Sequence, residues 1–185
     1  TARSRGLGDV YKRQLPDRRD LNRCFPGSEK GALASRMAHG FFNNIAKRCD
    51  YILDLHTGAI HRTNLPQIRA NLSNPETLRI AKAFATPVIV DSALRDGSLR
   101  SEAEKCDIPV LTYEAGEALR FDPLSISAGV LGVQRVMQAI GMLRASRKKL
   151  PEPIIAKSTS WVRASGNGIL RLSLIHISEP TRPSS

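Results

Sequence analysis

A short stretch in the first third of the chain decides the fold class: Asp50-Tyr51-Ile52-Leu53-Asp54-Leu55-His56-Thr57-Gly58, or DYILDLHTG. Tyr51–Leu55 is an apolar run with the length of a strand that is covered on both faces. Asp54 and His56 stand two residues apart, so on a strand they point to the same face. Because open α/β sheets bind ligands at the carboxyl ends of their strands, this stretch predicts a buried strand that ends at a functional site.

Helix-like and strand-like segments alternate through the rest of the chain. The segment 64–74 is polar and irregular and is predicted to be a loop. Asn74 is predicted to cap a helix that has Pro75 at its first position. The predicted helices are Ser28–Lys47, Pro75–Ala85, Gly97–Lys105 and Leu124–Leu143, and the further strands are Pro87–Val90 and Ile108–Tyr113. The alternation predicts an α/β domain with a mostly parallel sheet and flanking helices.

Composition and element order divide the chain into segments. Residues 15–147 are predicted to be an α/β domain, and the scar before it, described below, implies that this domain is partial and lacks its N-terminal part. Residues 148–153 carry charge and two prolines and are predicted to be a linker. Residues 154–171 contain two β-like pieces around a turn, which predicts the truncated start of a β-rich domain.

The two ends of the chain have an unusual origin. Residues 9–14 and 172–182 can be back-translated into the two orientations of one transposon-end adapter used in sequencing libraries. We therefore interpret residues 1–14 and 172–185 as adapter-derived scars and exclude them from the fold. The first scar holds four Lys or Arg and one Asp, so it supplies +3 of the formal charge of +11. Part of the basic charge is thus unrelated to function.

Composition bounds the class of protein. With 185 residues and 41% hydrophobic residues, the chain can bury a core. It has no apolar run long enough for a membrane span, and its three scattered cysteines argue against a disulfide framework. These features predict a cytoplasmic globular protein without a membrane partner.

Two groups of residues carry candidate chemistry. Asp54 beside His56 can orient the imidazole ring, as carboxylates do at metal sites, although one histidine at a strand end is more often structural. Asn22 and Arg23 stand side by side in a loop, and such a pair can grip a carboxylate. The alternative is an ordinary surface loop in which Arg23 pairs with Asp20. Glu114 follows the last predicted strand and could be merely solvated.

Three motifs in order resolve these alternatives by resemblance: D-L-N-R-C-F-P-G at 20–27, D-L-H-T-G at 54–58 and Y-E-A-G-E at 113–117. Together they resemble the succinylglutamate desuccinylase/aspartoacylase family of zinc amidohydrolases, which are related to the zinc carboxypeptidases. The resemblance extends to S-W-V-R-A at 160–164, which is similar to the entry of the family's C-terminal β-domain. It implies a zinc carboxypeptidase-like α/β fold.

The resemblance also implies roles for single residues. His56 would be a zinc ligand supported by Asp54, and Glu114 would be the general base. Asn22 and Arg23 would bind the carboxylate of an N-acyl amino acid. Asp20 would support that loop. One of Arg18 and Arg19, here assigned to Arg19, would stabilise the oxyanion.

The implied reaction is hydrolysis of the amide bond of an N-succinyl or N-acetyl amino acid by water activated on one Zn²⁺. The family's other two zinc ligands come from an H-x-x-E motif upstream of D-L-N-R, and this sequence contains no H-x-x-E. A catalytic zinc usually has three protein ligands. We therefore expect this chain to be a fragment that binds zinc poorly and is inactive by itself.

Three other functions stay open at this stage. A zinc carboxypeptidase acting on peptides would use the same metal chemistry, and an inactive relative would bind without catalysis. A basic nucleic-acid-binding module is disfavoured, because aromatic residues make up only 5% of the chain and no stacking motif is interleaved with the basic residues. A small-molecule carboxylate is therefore the expected partner.

Overall fold

The computed structural model describes residues 14–146, 150–160, 162 and 166. Two single-turn 3-10 helices lie at Leu21–Arg23 and Ala46–Arg48. The four α-helices are α1 (Leu33–Asn44), α2 (Pro75–Phe84), α3 (Leu99–Glu104) and α4 (Pro123–Ala139). The five strands are β1 (Ile52–Gly58), β2 (Asn64–Ala70), β3 (Val88–Asp91), β4 (Val110–Glu117) and β5 (Ile154–Ala156). Among the described helices, none is both long and apolar enough to cross a membrane.

The strands form one sheet in the order β1-β4-β2-β3-β5. Three of its four pairings are parallel: β1 with β4, β2 with β3, and β3 with β5. The pairing of β2 with β4 is antiparallel. The prediction of an α/β fold with a mostly parallel sheet is therefore confirmed.

Helices cover both faces of the sheet, and β4 shows how its residues divide between them. Leu111, Tyr113 and Ala115 pack in one core cluster, whereas Val110 belongs to the other. This alternation follows from the two-residue period of a strand. The first cluster also contains residues of α2 and α4, namely Ile80, Ala81, Phe84 and Val136, and the second contains residues of α1 and α3, namely Ala38, Phe42, Leu99 and Ala103.

The segment that was predicted to be a loop contains the strand β2, so that prediction is wrong. Its polar residues suggested irregular structure. The strand also contains Pro66, and a proline cannot donate to the ladder of a central strand. The structure accommodates Pro66 at a bulge, where the register of β2 with β4 shifts between Asn64 and Gln67. A bulge is one of the few places where a sheet tolerates proline.

The helix starts were predicted with mixed success. Asn74 caps α2 as expected, and its Oδ1 accepts from the N–H groups of Glu76 and Thr77. The helix α1 begins at Leu33 rather than near Ser28. Its first turn is capped from a distance, because Asp17 Oδ2 accepts from the N–H of Ala34 at 2.8 Å.

The strand β5 lies in the segment that was assigned to a second domain, and it pairs with β3 at the edge of the main sheet. Residues 147–149, which include the first two residues of the predicted linker, and most of 161–171 lie outside the described residues. The second domain therefore stays a prediction, as does the adapter origin of the two ends. Of residues 1–14 and 172–185, the structure describes only Gln14.

Candidate active site

A cleft of about 920 Å³ opens on the face of the sheet that α1 and α3 cover. Its floor is formed by residues of β1, β2 and β4, and its walls by the loop at residues 20–23 and the segment before and within α3. The residues that line it include Asp20, Asn22, Arg23, Asp54, His56, Arg62, Asn64, Arg69, Arg95, Arg100, Thr112 and Glu114. The cleft thus gathers six of the seven site residues that the sequence predicted.

His56 and Asp54 point to the same face of β1, as their spacing predicts. The ring Nε2 of His56 lies 2.8 Å from Asp54 Oδ2. A carboxylate at this distance holds the imidazole in one orientation and favours a proton on Nε2. In that tautomer Nδ1 carries the lone pair that a metal ion would need.

Glu114 lies beside His56, because the two residues are partners in the parallel register of β1 and β4. Neighbouring strands are about 4.8 Å apart, so both side chains rise from adjacent positions on the floor of the cleft. Glu114 Oε2 accepts from Asn64 Nδ2 at 2.9 Å. The carboxylate is therefore held in place by β2, the strand that the sequence analysis missed.

The loop with Asp20, Asn22 and Arg23 forms one wall. Asp20 Oδ1 accepts from the N–H of Asn22 at 2.9 Å and caps the 3-10 turn Leu21–Arg23. Asn22 Oδ1 accepts from the N–H of Leu99 at 2.9 Å, which attaches the loop to the start of α3. Arg23 does not pair with Asp20; it is exposed and donates to the carbonyl of Asn22. Arg23 thus keeps its charge at the edge of the cleft.

Arg19 is the predicted site residue that the cleft does not include. Its side chain is exposed and does not line the cleft, and its backbone N–H donates to Asp17 Oδ1 at 3.2 Å. The structure does not bring Arg19 together with His56 and Glu114. Its role at an oxyanion therefore stays a prediction.

Sequence reasoning missed three arginines that meet at one end of the cleft: Arg69, Arg95 and Arg100. Arg100 donates to the carbonyl of Ala93 at 2.8 Å. Burial lowers the pKa of Arg100, and the charges of Arg69 and Arg95 lower it further. Three cations that repel one another beside a cleft favour an anionic ligand. Only the pairing of β2 with β3 brings Arg69 near the other two, so no local pattern could reveal the group.

The donor set for a metal ion is incomplete in the described part of the chain. No group of three or more His, Cys, Asp or Glu side chains is placed there to hold a metal ion. His56 with Asp54 fits the ligand and supporting carboxylate of a zinc site. Taken alone, however, this pair is only part of such a site, because a catalytic zinc usually takes three protein ligands.

The fold and the cleft define an α/β protein of the carboxypeptidase-like class with a polar site on one face of the sheet. Residues 9–140 match the family model of the succinylglutamate desuccinylase/aspartoacylase catalytic domain. The chain therefore belongs to the succinylglutamate desuccinylase/aspartoacylase family, a family of deacylases, and the resemblance seen in the sequence is confirmed.

Solved structures agree with this assignment. The succinylglutamate desuccinylase/aspartoacylase from Rhodobacter sphaeroides is 28% identical with a TM-score of 0.63, over 70% of this chain and 40% of that protein. The product-bound ectoine utilization protein EutE (DoeB) from Ruegeria pomeroyi is similar in fold, with 23% identity, a TM-score of 0.70, and coverage of 80% of this chain and 47% of that protein. This chain thus spans less than half the length of either protein. None of the curated proteins matches the chain.

Proposed function

We propose that this chain is part of a zinc-dependent deacylase that hydrolyses the amide bond of an N-acyl amino acid, such as an N-succinyl or N-acetyl derivative. The observation that carries the proposal is the cleft itself. It brings the His56–Asp54 pair, the carboxylate of Glu114 and the Asn22–Arg23 loop to one site, although these residues are far apart in the sequence. Membership of a deacylase family supports the same reaction.

His56 would hold the zinc ion through Nδ1, with Asp54 orienting the ring from Nε2. When bound, zinc supplies a Lewis acid that polarises the acyl carbonyl and activates water. The described residues provide one such ligand, so the active form needs further ligands beside His56. By itself this chain is expected to bind zinc weakly and to be inactive.

Glu114 acts on protons in this proposal. Its carboxylate takes a proton from the attacking water and delivers it to the nitrogen of the leaving amine, so it ends the cycle ionised as it began. Its position next to His56 in the sheet supports this role, because a metal ion held by His56 would bring its bound water close to Glu114. A general base placed in this way typically contributes about 10²–10⁴-fold to the rate.

The walls of the cleft bind the substrate. Asn22 is held through Oδ1, so its Nδ2 group is the donor available for a substrate carboxylate, and Arg23 supplies charge beside it. The arginines at positions 69, 95 and 100 add positive charge at the end of the cleft. This arrangement favours a small carboxylate over nucleic acid, because the cations line a cleft rather than an extended surface stripe.

A cytoplasmic location is supported by the three cysteines, which are all free thiols.

The test uses zinc-loaded protein long enough to include an H-x-x-E segment, with a panel of N-acetyl and N-succinyl amino acids and short peptides. We expect amide hydrolysis of one or more acyl amino acids. E114Q should lower kcat by about 10²–10⁴-fold with zinc still bound, and H56A should release the zinc. H39Q is the matched control, since His39 lies in α1 and contacts Asn43 rather than the cleft.

Other outcomes of the same assay identify the alternatives. Faster hydrolysis of peptides than of acyl amino acids would indicate a zinc carboxypeptidase. Zinc binding and ligand binding without turnover would indicate an inactive relative. Full activity in E114Q would contradict the role of Glu114, and zinc content unchanged in H56A would contradict the metal site.

A further inference from the structure

The bulge in β2 gives Asn64 an unusual position. Between two register pairs, Asn64 with Gly116 and Gln67 with Glu114, β2 has two residues where β4 has only Ala115. Side chains alternate between the faces of a strand, so residues three apart normally point to opposite faces. The extra residue of the bulge interrupts this alternation, so Asn64 points to the same face as Gln67 and Glu114.

The residues around the bulge fit this arrangement. Pro66 has no N–H to lose from the ladder, and it is buried. It stands two residues before Ile68, which packs in the core cluster on the face away from the cleft. Gly116 is directly opposite Asn64, and a Cβ there would point toward Asp122 and Ser125 at the start of α4, which do not line the cleft. Asn64 reaches diagonally across the pair of strands to Glu114, whose side chain lies on the cleft face.

The contact that results is a hydrogen bond of 2.9 Å from Asn64 Nδ2 to Glu114 Oε2. Both side chains line the cleft. A donor that holds Oε2 restricts rotation of the carboxylate group and leaves both lone pairs of Oε1 to accept a proton from water. A carboxylate that is free to rotate would spend part of its time out of reach of that water.

We infer that Asn64 is a positioning residue for the general base and that the bulge at Leu65–Pro66 exists to place it. The inference rests on the function proposed for Glu114. It gives β2 a part in catalysis, although neither the three sequence motifs nor the candidate zinc ligand lies in β2. Asn64 acts through Glu114 alone, so it should affect the chemical step and not substrate binding.

The test compares N64A, Q67A, E114Q and the double variant N64A/E114Q in the zinc-loaded protein used for the deacylase assay. N64A should lower kcat by about 10- to 100-fold and leave KM within about twofold, as expected when a supporting hydrogen bond is lost. Q67A is the matched control, because Gln67 is the register partner of Glu114 but does not line the cleft. N64A/E114Q should be no slower than E114Q, because Asn64 has nothing left to position.

The role of Glu114 as general base and the role of Asn64 in positioning it can be overturned separately. An E114Q variant with full activity would overturn the proposed general base. A large effect of E114Q together with an unchanged kcat in N64A would overturn the role of Asn64 alone. A rise in KM without a fall in kcat would also contradict it, because it would mean that Asn64 binds the substrate.

A second readout is independent of activity. In ¹H–¹⁵N spectra of this chain, the side-chain amide signals of Asn64 are identified by their absence in N64A. They should shift in E114Q, because the carboxylate that accepts their proton has been replaced by an amide, and stay unchanged in Q67A. Signals that do not respond to E114Q would show that the hydrogen bond is not formed and would overturn the inference.

Discussion

At the scale of single residues, Asn22 serves the fold and the site at the same time. Its Oδ1 accepts from the N–H of Leu99 and so fixes the loop to α3, while the rest of its amide lies at the cleft. The sequence indicated the second role but could not reveal the first, because Leu99 is far along the chain. The two roles use different atoms, so substitution can separate them.

Asn22→Asp keeps an oxygen acceptor for Leu99 but replaces the amide donor with a negative charge. We expect its free energy of unfolding to stay close to that of the parent, while its affinity for the substrate carboxylate falls at least about tenfold because like charges repel. Asn22→Ala should lose affinity and also about 1 kcal/mol of stability, since the N–H of Leu99 loses its partner. Urea unfolding of this chain measures the effect on stability, and KM of the zinc-loaded protein used for the deacylase assay measures the effect on affinity. Equal destabilisation by both variants would contradict the role of Oδ1 in the fold.

At the scale of elements, the packing of α4 on α2 depends on a glycine. Gly132 is buried in α4, and a Cβ at this position would lie 2.0–2.4 Å from three ring atoms of Phe84. Gly40 in α1 offers a comparison, because a Cβ there would meet no atom within 4 Å. The two glycines are both inside helices, but only one of them makes room for a neighbour.

Gly132→Ala should therefore destabilise the protein by about 1–3 kcal/mol, since the rigid ring and the helix must move apart. Gly40→Ala should stabilise it by about 0.5–1 kcal/mol, because alanine loses less backbone entropy than glycine in a helix. Thermal unfolding of both variants and the parent gives the comparison. A stabilised Gly132→Ala variant would mean that α2 and α4 are not packed as closely as the structure has them.

At the scale of the whole molecule, a surface network ties three elements together on the side of the sheet away from the cleft. Tyr51, next to β1, donates to Glu76 Oε1 at 2.7 Å, and Glu76 pairs with Arg79 within α2. Arg79 also donates to the carbonyl of Ala139 at the end of α4, at 2.9 Å. The hydrogen bonds from Arg79 and Tyr51 lower the pKa of Glu76 to about 2.

This lowered pKa predicts how stability depends on pH. Glu76 titrates near 4.5 when unperturbed and near 2 in the fold, so its contribution is fully present above pH 4.5 and is lost as the pH falls toward 2. Glu76→Gln should cost about 1 kcal/mol or less at pH 7, because the pair is exposed to solvent. Melting temperatures of the parent and the variant should converge as the pH falls from about 4.5 to about 2. Glu152→Gln, at an exposed position, is the control, and its melting temperature should follow that of the parent throughout. A difference in melting temperature between the parent and Glu76→Gln that persists at pH 2 would contradict the network.

The sequence by itself determined what depends on local pattern. Alternating segments predicted the α/β class, the spacing of Asp54 and His56 predicted their shared face, and Asn74 with Pro75 predicted the start of α2. Three motifs in order were enough to indicate the family. Each of these depends on residues close together in the chain, where strand period, capping and backbone preference act directly.

Only the tertiary structure decided which distant residues meet. It turned a segment with an internal proline into the central strand β2, brought Asn64 to Glu114, gathered Arg69, Arg95 and Arg100 at one end of the cleft, and left Arg19 outside it. Strand pairing and the register shift at a bulge join residues about fifty positions apart, and no property of either segment alone states which partner it will find. The sequence therefore indicated which chemical groups form the site, but their arrangement depends on the long-range pairing of the sheet.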